Sequence, residues 1–207
     1  ESNHMKYSMR GNVDPFIVMD VMENARKAEE CGRKIIHMEV GQPSTAAPSG
    51  ALERTSQIIK SNPLGYTVAL GLPELRKKIS NLYGRWYNLD IDPSRVIVTS
   101  GSSGAFILSF TALFEGGARV GIGAPGYPSY RQILKSLGIS PVDIVTTVKN
   151  KFQPTAKDVV SQNLDGLLVA SPSNPTGTML NKNELTDLIN ASHSIGANFI
   201  SDEIYHG

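Results

Sequence analysis

From residue 95 onward the chain repeats one pattern: a short apolar run, a turn of glycine, proline and small polar residues, then a stretch with helical periodicity. The runs are "RVIVTS", "ARVGIG", "PVDIVTT", "DGLLVAS" and "ANFISD". Strands that are apolar on both sides need cover on both faces, and a helical crossover is what lays the next strand parallel to the last. The pattern therefore predicts an α/β fold with a mostly parallel sheet between two helical layers, with helices over 127–137 and 182–195. Thr155 with Asp158, and Asn181 with Glu184, have the spacing of capping boxes and mark two helix starts.

The N-terminal part reads differently. Residues 17–31 place Val18, Val21, Met22, Ala25 and Ala28 at helical spacing before Gly32. "KIIHMEVGQPS" reads as a short strand or an extended arm, a second helix opens near Pro48, and a third follows from Pro73. Residues 1–5, "ESNHM", read as an expression scar, 6–45 as an arm and helix, and 46–207 as the first part of a large domain.

In an open α/β sheet the ligand crevice lies at the carboxyl ends of the strands, so the turns there should converge on one site. "TSGSSGAF", 99–106, brings small residues to a helix start; it is either a phosphate seat or a tight strand-to-helix turn. "APGYPSY" fixes Tyr127, either to stack on a flat heteroaromatic ring or to pack locally. "SPSNPTGT" fixes Asn174, either as a donor to an oxyanion or as an Asx turn capping the next helix. "SDEIY" puts Asp202 at the end of an apolar run, where a carboxylate needs a partner: a structural hydrogen bond, or a cation on a bound cofactor such as a protonated pyridine nitrogen.

Charge and cysteine content narrow the partners. Twenty basic and 19 acidic residues, a net +1 without long runs of one sign, give no field that would attract nucleic acid or a membrane surface. A single cysteine, Cys31, can close no internal disulfide and cannot build a metal site alone, so no metal is expected and the cytoplasm is the expected compartment. No run approaches the length of a membrane span.

Taken together, "VGQPS", "YTVALGLPELRKKI", "TSGSSGA", "APGYPSY", "SPSNPTGT" and "SDEIY" resemble, in order and spacing, the class I/II aminotransferases of fold-type-I pyridoxal 5′-phosphate enzymes, from about residue 14 to the last residue. The resemblance implies phosphate contacts from Ser102 and Ser103, Tyr127 stacked on the pyridine ring, and Asn174 and Tyr205 on its phenolic oxygen. It implies Asp202 paired with the pyridinium, and Gly41 against the substrate carboxylate. Tyr66 would reach the cofactor phosphate of a neighbouring subunit, so a homodimer is implied. The implied reaction moves an amino group between an amino acid and a 2-oxo acid. A carbon–sulfur lyase on the same cradle, or a non-catalytic cofactor-binding or dimerisation module, are the alternatives.

The family's Schiff-base lysine is expected a few tens of residues beyond Asp202, past Gly207, and Lys182 lies too early to replace it. The chain is accordingly read as the N-terminal half of a longer enzyme, inactive by itself, with two further strands expected between the run at 95–100 and the run at 198–202.

Overall fold

The computed structural model describes residues 5–206. Of the leading "ESNHM", residues 1–4 lie outside the described residues and Met5 is exposed. The chain packs as two units, one of residues 17–100 and the other of residues 101–206 together with the N-terminal segment up to Phe16.

The unit of residues 17–100 carries helices α1 (Ile17–Glu30), α2 (Ser49–Ser61) and α3 (Pro73–Tyr87). Helix α3 starts on Pro73, where the missing N–H costs nothing, and stops at Asn88, whose left-handed backbone (φ 53°) lets its N–H close on Gly84 and Tyr83 carbonyls. The chain then folds back along α3. Arg76 donates from Nε to the Val96 carbonyl (2.7 Å) and from Nη2 to that of Pro93 (2.8 Å), and Ser80 donates to the Ile91 carbonyl.

The run at 95–100, expected as a strand, is not one. Arg95 closes a 3-10 turn, Val96 after it is extended, and no strand of the described residues pairs with the run; the Val98 N–H donates to the Leu70 carbonyl, 3.0 Å. A strand is defined by its ladder, and apolar sequence alone supplies no partner. The segment "KIIHMEV" is likewise an extended arm without a ladder.

That arm is held to α1 by His37, whose Nδ1 lies 2.6 Å from Glu39 Oε1 and whose Nε2 lies 3.0 Å from Glu29 Oε1. The hydrogen bond to Glu39, then that to Glu29, raise the imidazole pKa from 6.5 to about 8. Because the folded value lies above the ordinary one, the clamp is complete below pH 6.5 and is lost as pH rises through about 8. Proton NMR of the His37 ring is expected to titrate near pH 8, and E39Q to move the midpoint down toward 6.5. A wild-type midpoint at 6.5 would show that the clamp does not form.

The other unit contains the sheet. Its strands β1 (Arg119–Ala124), β2 (Ser140–Val145), β3 (Gly166–Ala170) and β4 (Asn198–Asp202) are all parallel, in the order β2-β1-β3-β4. Between them run α4 (Gly101–Leu113, before β1), α5 (Pro128–Ser136), α6 (Ala156–Val160) and α7 (Lys182–Ser194). Both predicted capping boxes form, with Thr155 and Asp158 opening α6 and Asn181 and Glu184 opening α7.

Side-chain alternation along the strands divides the core in two. On one face Val120, Ile122 and Leu168 meet Phe106, Phe110 and Phe114 from α4 and its end, and Tyr130 and Leu134 from α5. On the other, Ile144, Leu167 and Val169 meet Val159 of α6 and Leu188 and Ala191 of α7. Neighbours in sequence, such as Leu167 and Leu168, thus serve different layers, as the two-faced apolar runs predicted. Gly166 is where β3 lets the Phe114 ring in: a Cβ there would stand 2.3 Å from the ring's Cζ.

Candidate active site

The parallel register brings three strand ends to one level. Ala170 pairs with Asp202 and Ile122 with Leu168, so β1, β3 and β4 leave the sheet side by side at Ala124, Ala170 and Asp202. Their three turns and the start of α4 enclose a cleft of about 210 Å³ lined by Ser102, Tyr127, Tyr130, Ala170, Asn174, Asp202, Ile204 and Tyr205. The carboxyl edge, where the sequence predicts that the turns converge, is therefore the edge that carries this cleft.

After β1 the chain turns through Pro125 and Gly126. A Cβ on Gly126 would lie 2.4 Å from the Gly123 carbonyl oxygen, so the turn admits no side chain there and Tyr127 is presented directly at the N-cap of α5. The half-buried Tyr127 ring is held edge-to-face by Phe16 (centroids 6.0 Å apart, planes at 85°) and by Tyr130 (5.3 Å, 79°). Such contacts fix a ring's direction at little cost in entropy.

After β3, the Gly177 N–H donates to the Ser173 carbonyl (2.7 Å) and the Ser173 N–H to that of Thr178 (3.0 Å), closing a loop around Asn174. The Asn174 side chain makes no hydrogen bond with the described residues, and the next helix is capped by Asn181. The Asx-cap alternative is thus not what forms: Asn174 lines the cleft with its amide free for a ligand.

After β4, the chain bends back over the β3 turn, with His206 Nε2 2.9 Å from the Ser171 carbonyl oxygen, and Tyr205 lines the cleft. Asp202 is half-buried and already has donors from the protein. Its Oδ1 accepts from the Ile204 N–H (3.1 Å) and its Oδ2 from the Tyr130 hydroxyl (2.5 Å). Two carboxylate oxygens have about four lone-pair sites, so two donors leave acceptor capacity facing the cleft.

Tyr130 is the cleft residue that sequence reading passed over. It is 5 % exposed, packs edge-to-face on Phe106 (5.1 Å, 82°), and burial, then its bond to Asp202, hold its phenol well above the ordinary range. It therefore stays a donor at any physiological pH. The available signal was spacing: Tyr127 and Tyr130, three apart where α5 begins, share a face.

Ser102 and Ser103, in the first turn of the thirteen-residue α4, are both exposed; Ser102 lines the cleft and Ser103 lies outside the lining. Gly41 and Tyr66 belong to the unit of residues 17–100; both are exposed, Tyr66 fully. A second groove, of about 290 Å³, is lined by Lys149, Lys151, Lys157, Glu184 and Asp187 among others, and Lys151 pairs with Glu184 across it. It presents no aromatic ring. Among the described residues no cluster of His, Cys, Asp and Glu could hold a metal ion, and no helix is long and apolar enough to cross a membrane.

A parallel α/β sheet with a polar and aromatic cleft at its carboxyl edge is the arrangement in which doubly wound folds bind small molecules. Comparison with known proteins makes this specific: the description "Aminotransferase class I and II" matches residues 33–207, and the chain belongs to that family. It is 40% identical over 204 residues to the valine–pyruvate aminotransferase of Mycobacterium tuberculosis, covering 98% of this chain and 53% of that protein. It is 33% identical to the (5-formylfuran-3-yl)methyl phosphate transaminase of Methanocaldococcus jannaschii, covering 95% and 50%. Among solved structures, an aminotransferase from Mycobacterium tuberculosis superimposes with a TM-score of 0.94 at 40% identity, covering 98% of this chain and 53% of that one. The aspartate aminotransferase of Thermus thermophilus with maleate does so at 0.91 and 26%, covering 97% and 54%. The chain spans about half the length of the relatives it matches.

Proposed function

We propose that the Asp202 cleft seats pyridoxal 5′-phosphate and that the whole protein transfers an amino group between an amino acid and a 2-oxo acid. The observation that carries this reading is the meeting of Ser102, Tyr127, Asn174, Asp202 and Tyr205 around one cleft, from four separate turns. The donor set fits the group: a hydroxyl at a helix start for a phosphate, a fixed ring, an unpaired amide, a phenol, and a carboxylate with lone pairs to spare. The names of the relatives, valine–pyruvate and aspartate aminotransferases among them, support amino transfer over the carbon–sulfur lyase alternative and over a non-catalytic module.

In this reading pyridoxal phosphate supplies an electron-withdrawing ring that stabilises negative charge at the substrate Cα. The chain's residues prepare that ring. Asp202 holds a proton at the ring nitrogen, Asn174 and Tyr205 donate to the phenolic oxygen, and Tyr127 covers one face and excludes water from it. Ser102 and the first-turn amides of α4, Ser103 included, receive the phosphate. Gly41 lies against the substrate carboxylate, and Tyr66 reaches the cofactor phosphate of a second copy in a homodimer. Residues 46–207 belong to the cofactor-binding domain, and the protein works in the cytoplasm.

The test is cofactor titration of the purified whole protein, followed by assay with paired amino acids and 2-oxo acids. Stoichiometric binding of pyridoxal phosphate and cofactor-dependent appearance of the exchanged pair are expected. Failure to bind the cofactor would overturn the reading, and pyruvate with ammonia from cystathionine, without amino transfer, would turn it to the lyase.

A further inference from the structure

We infer that Tyr130 is a positioning residue: by donating its hydroxyl to Asp202 Oδ2 it aims the carboxylate into the cleft, so that the ring nitrogen of the bound cofactor keeps its proton. The inference rests on the pyridoxal phosphate reading above and adds a role for a residue that does not itself touch the ring nitrogen.

Three features support it. The bond is short, 2.5 Å, and spans 72 residues of sequence, joining the first turn of α5 to the end of β4. The donor cannot drift, since the Tyr130 ring is almost wholly buried and wedged edge-to-face between Phe106 and Tyr127. The acceptor is held on its other oxygen by the Ile204 N–H, so the two bonds together fix the plane of the carboxylate as well as its place. The ionisable groups around the Tyr130 hydroxyl are Asp202, Tyr127 and Tyr205, all acids, and no described cation competes for the carboxylate. Tyr127 and Asp202 are thus braced by one side chain, and the face of the proposed ring and its nitrogen are aligned together.

Without the hydroxyl, the carboxylate would turn away from its line to the ring nitrogen and would also take a larger share of any proton held between them. Both effects act in the same direction. The test is Y130F in the whole protein, which keeps the ring and removes the donor. With pyridoxal phosphate labelled at the ring nitrogen, the 15N resonance is expected to move from the pyridinium position toward that of neutral pyridine, and kcat to fall while KM changes little. Cofactor affinity is expected to weaken about tenfold in Y130F and by less than about twofold when Y130F is added to D202N, the non-additivity of two groups acting through one bond. An unmoved 15N resonance, or equal losses in both backgrounds, would overturn the inference. Should Y130F fail to fold, D202N reports from the acceptor's side: the Tyr130 hydroxyl proton, expected in slow exchange at low field in wild type, is expected to move upfield, and an unmoved resonance overturns the link. Because that proton is observed without cofactor, it judges the Tyr130–Asp202 bond even if wild type binds no pyridoxal phosphate, an outcome that would instead sink the functional reading.

Discussion

Exchange of Asp202 for asparagine is expected to lower the amino-transfer rate of the whole protein by about 10² to 10⁴-fold, the range that one well-placed proton-handling group supplies. The size follows from what is lost: asparagine is neutral and cannot keep a pyridine nitrogen charged, whatever its position. The fold should hardly notice. Tyr130 and Ile204 each donate to one oxygen of Asp202, and asparagine keeps one oxygen for Ile204 while its amide can donate to the Tyr130 hydroxyl oxygen. The cost in stability is therefore about 1 kcal/mol, that of one ordinary hydrogen bond. Steady-state kinetics and a melting curve on the same preparation separate the two effects. Full activity in D202N would remove the carboxylate from the mechanism, and a collapsed melting curve would make its role structural.

The second large effect concerns stability. Phe110 is fully buried in α4, stacked on Phe106 (5.7 Å, 24°) and tilted against Phe114 (6.2 Å, 46°), with Val120, Ile122 and Leu168 of the sheet in the same cluster. Truncation to alanine removes a ring from the centre of that face and leaves a hole that the neighbouring rings of Phe106, on the same helix, and Phe114, just past its end, cannot easily fill. A loss of about 3 to 5 kcal/mol is expected, a large fraction of a typical domain's 5 to 15. Urea unfolding should show a lower midpoint with an unchanged slope. A loss below about 1 kcal/mol would mean that the face repacks around the gap. L188A, on the opposite face, serves as the companion: Leu188 is equally buried but remote from the cleft, so it should weaken the fold without the extra fall in cofactor affinity expected from disturbing the layer that carries Tyr130.

How far the sequence foretold this depends on the range of the interactions. The sheet strands 119–202, the helices between them and both capping boxes were legible because each rests on local periodicity or on hydrogen bonds across three residues. The convergence of Tyr127, Asn174, Asp202 and Tyr205 was legible because parallel strands bring their carboxyl ends to one edge. What was not legible depended on partners far away in sequence. Residues 95–100 have strand composition and no ladder. The spacing around Asn174 left open whether its amide capped the next helix or faced a ligand; Asn181, itself legible as a cap, takes the first role. Asp202 was read as wanting a partner, a structural hydrogen bond or a cofactor cation; the identity of the hydrogen-bond donor, a phenol 72 residues earlier in the same motif as Tyr127, was not legible.

The ladder between β3 and β4 acts as a ruler for the chemistry. Asp202 sits level with Ala170 and shares a face with Ile200, on the side occupied by α4 and α5, where Tyr130 waits for it. Strand side chains alternate, so deletion of one residue between Ala197 and Asp202 would not shorten the reach of the carboxylate by a fraction; it would turn it through the sheet toward α6 and α7, to the face of the Leu167, Val169 and Leu188 cluster and away from Tyr130. Substitutions in β4 can be absorbed by degrees, but a change in its length acts as an all-or-none switch on the geometry of the cleft.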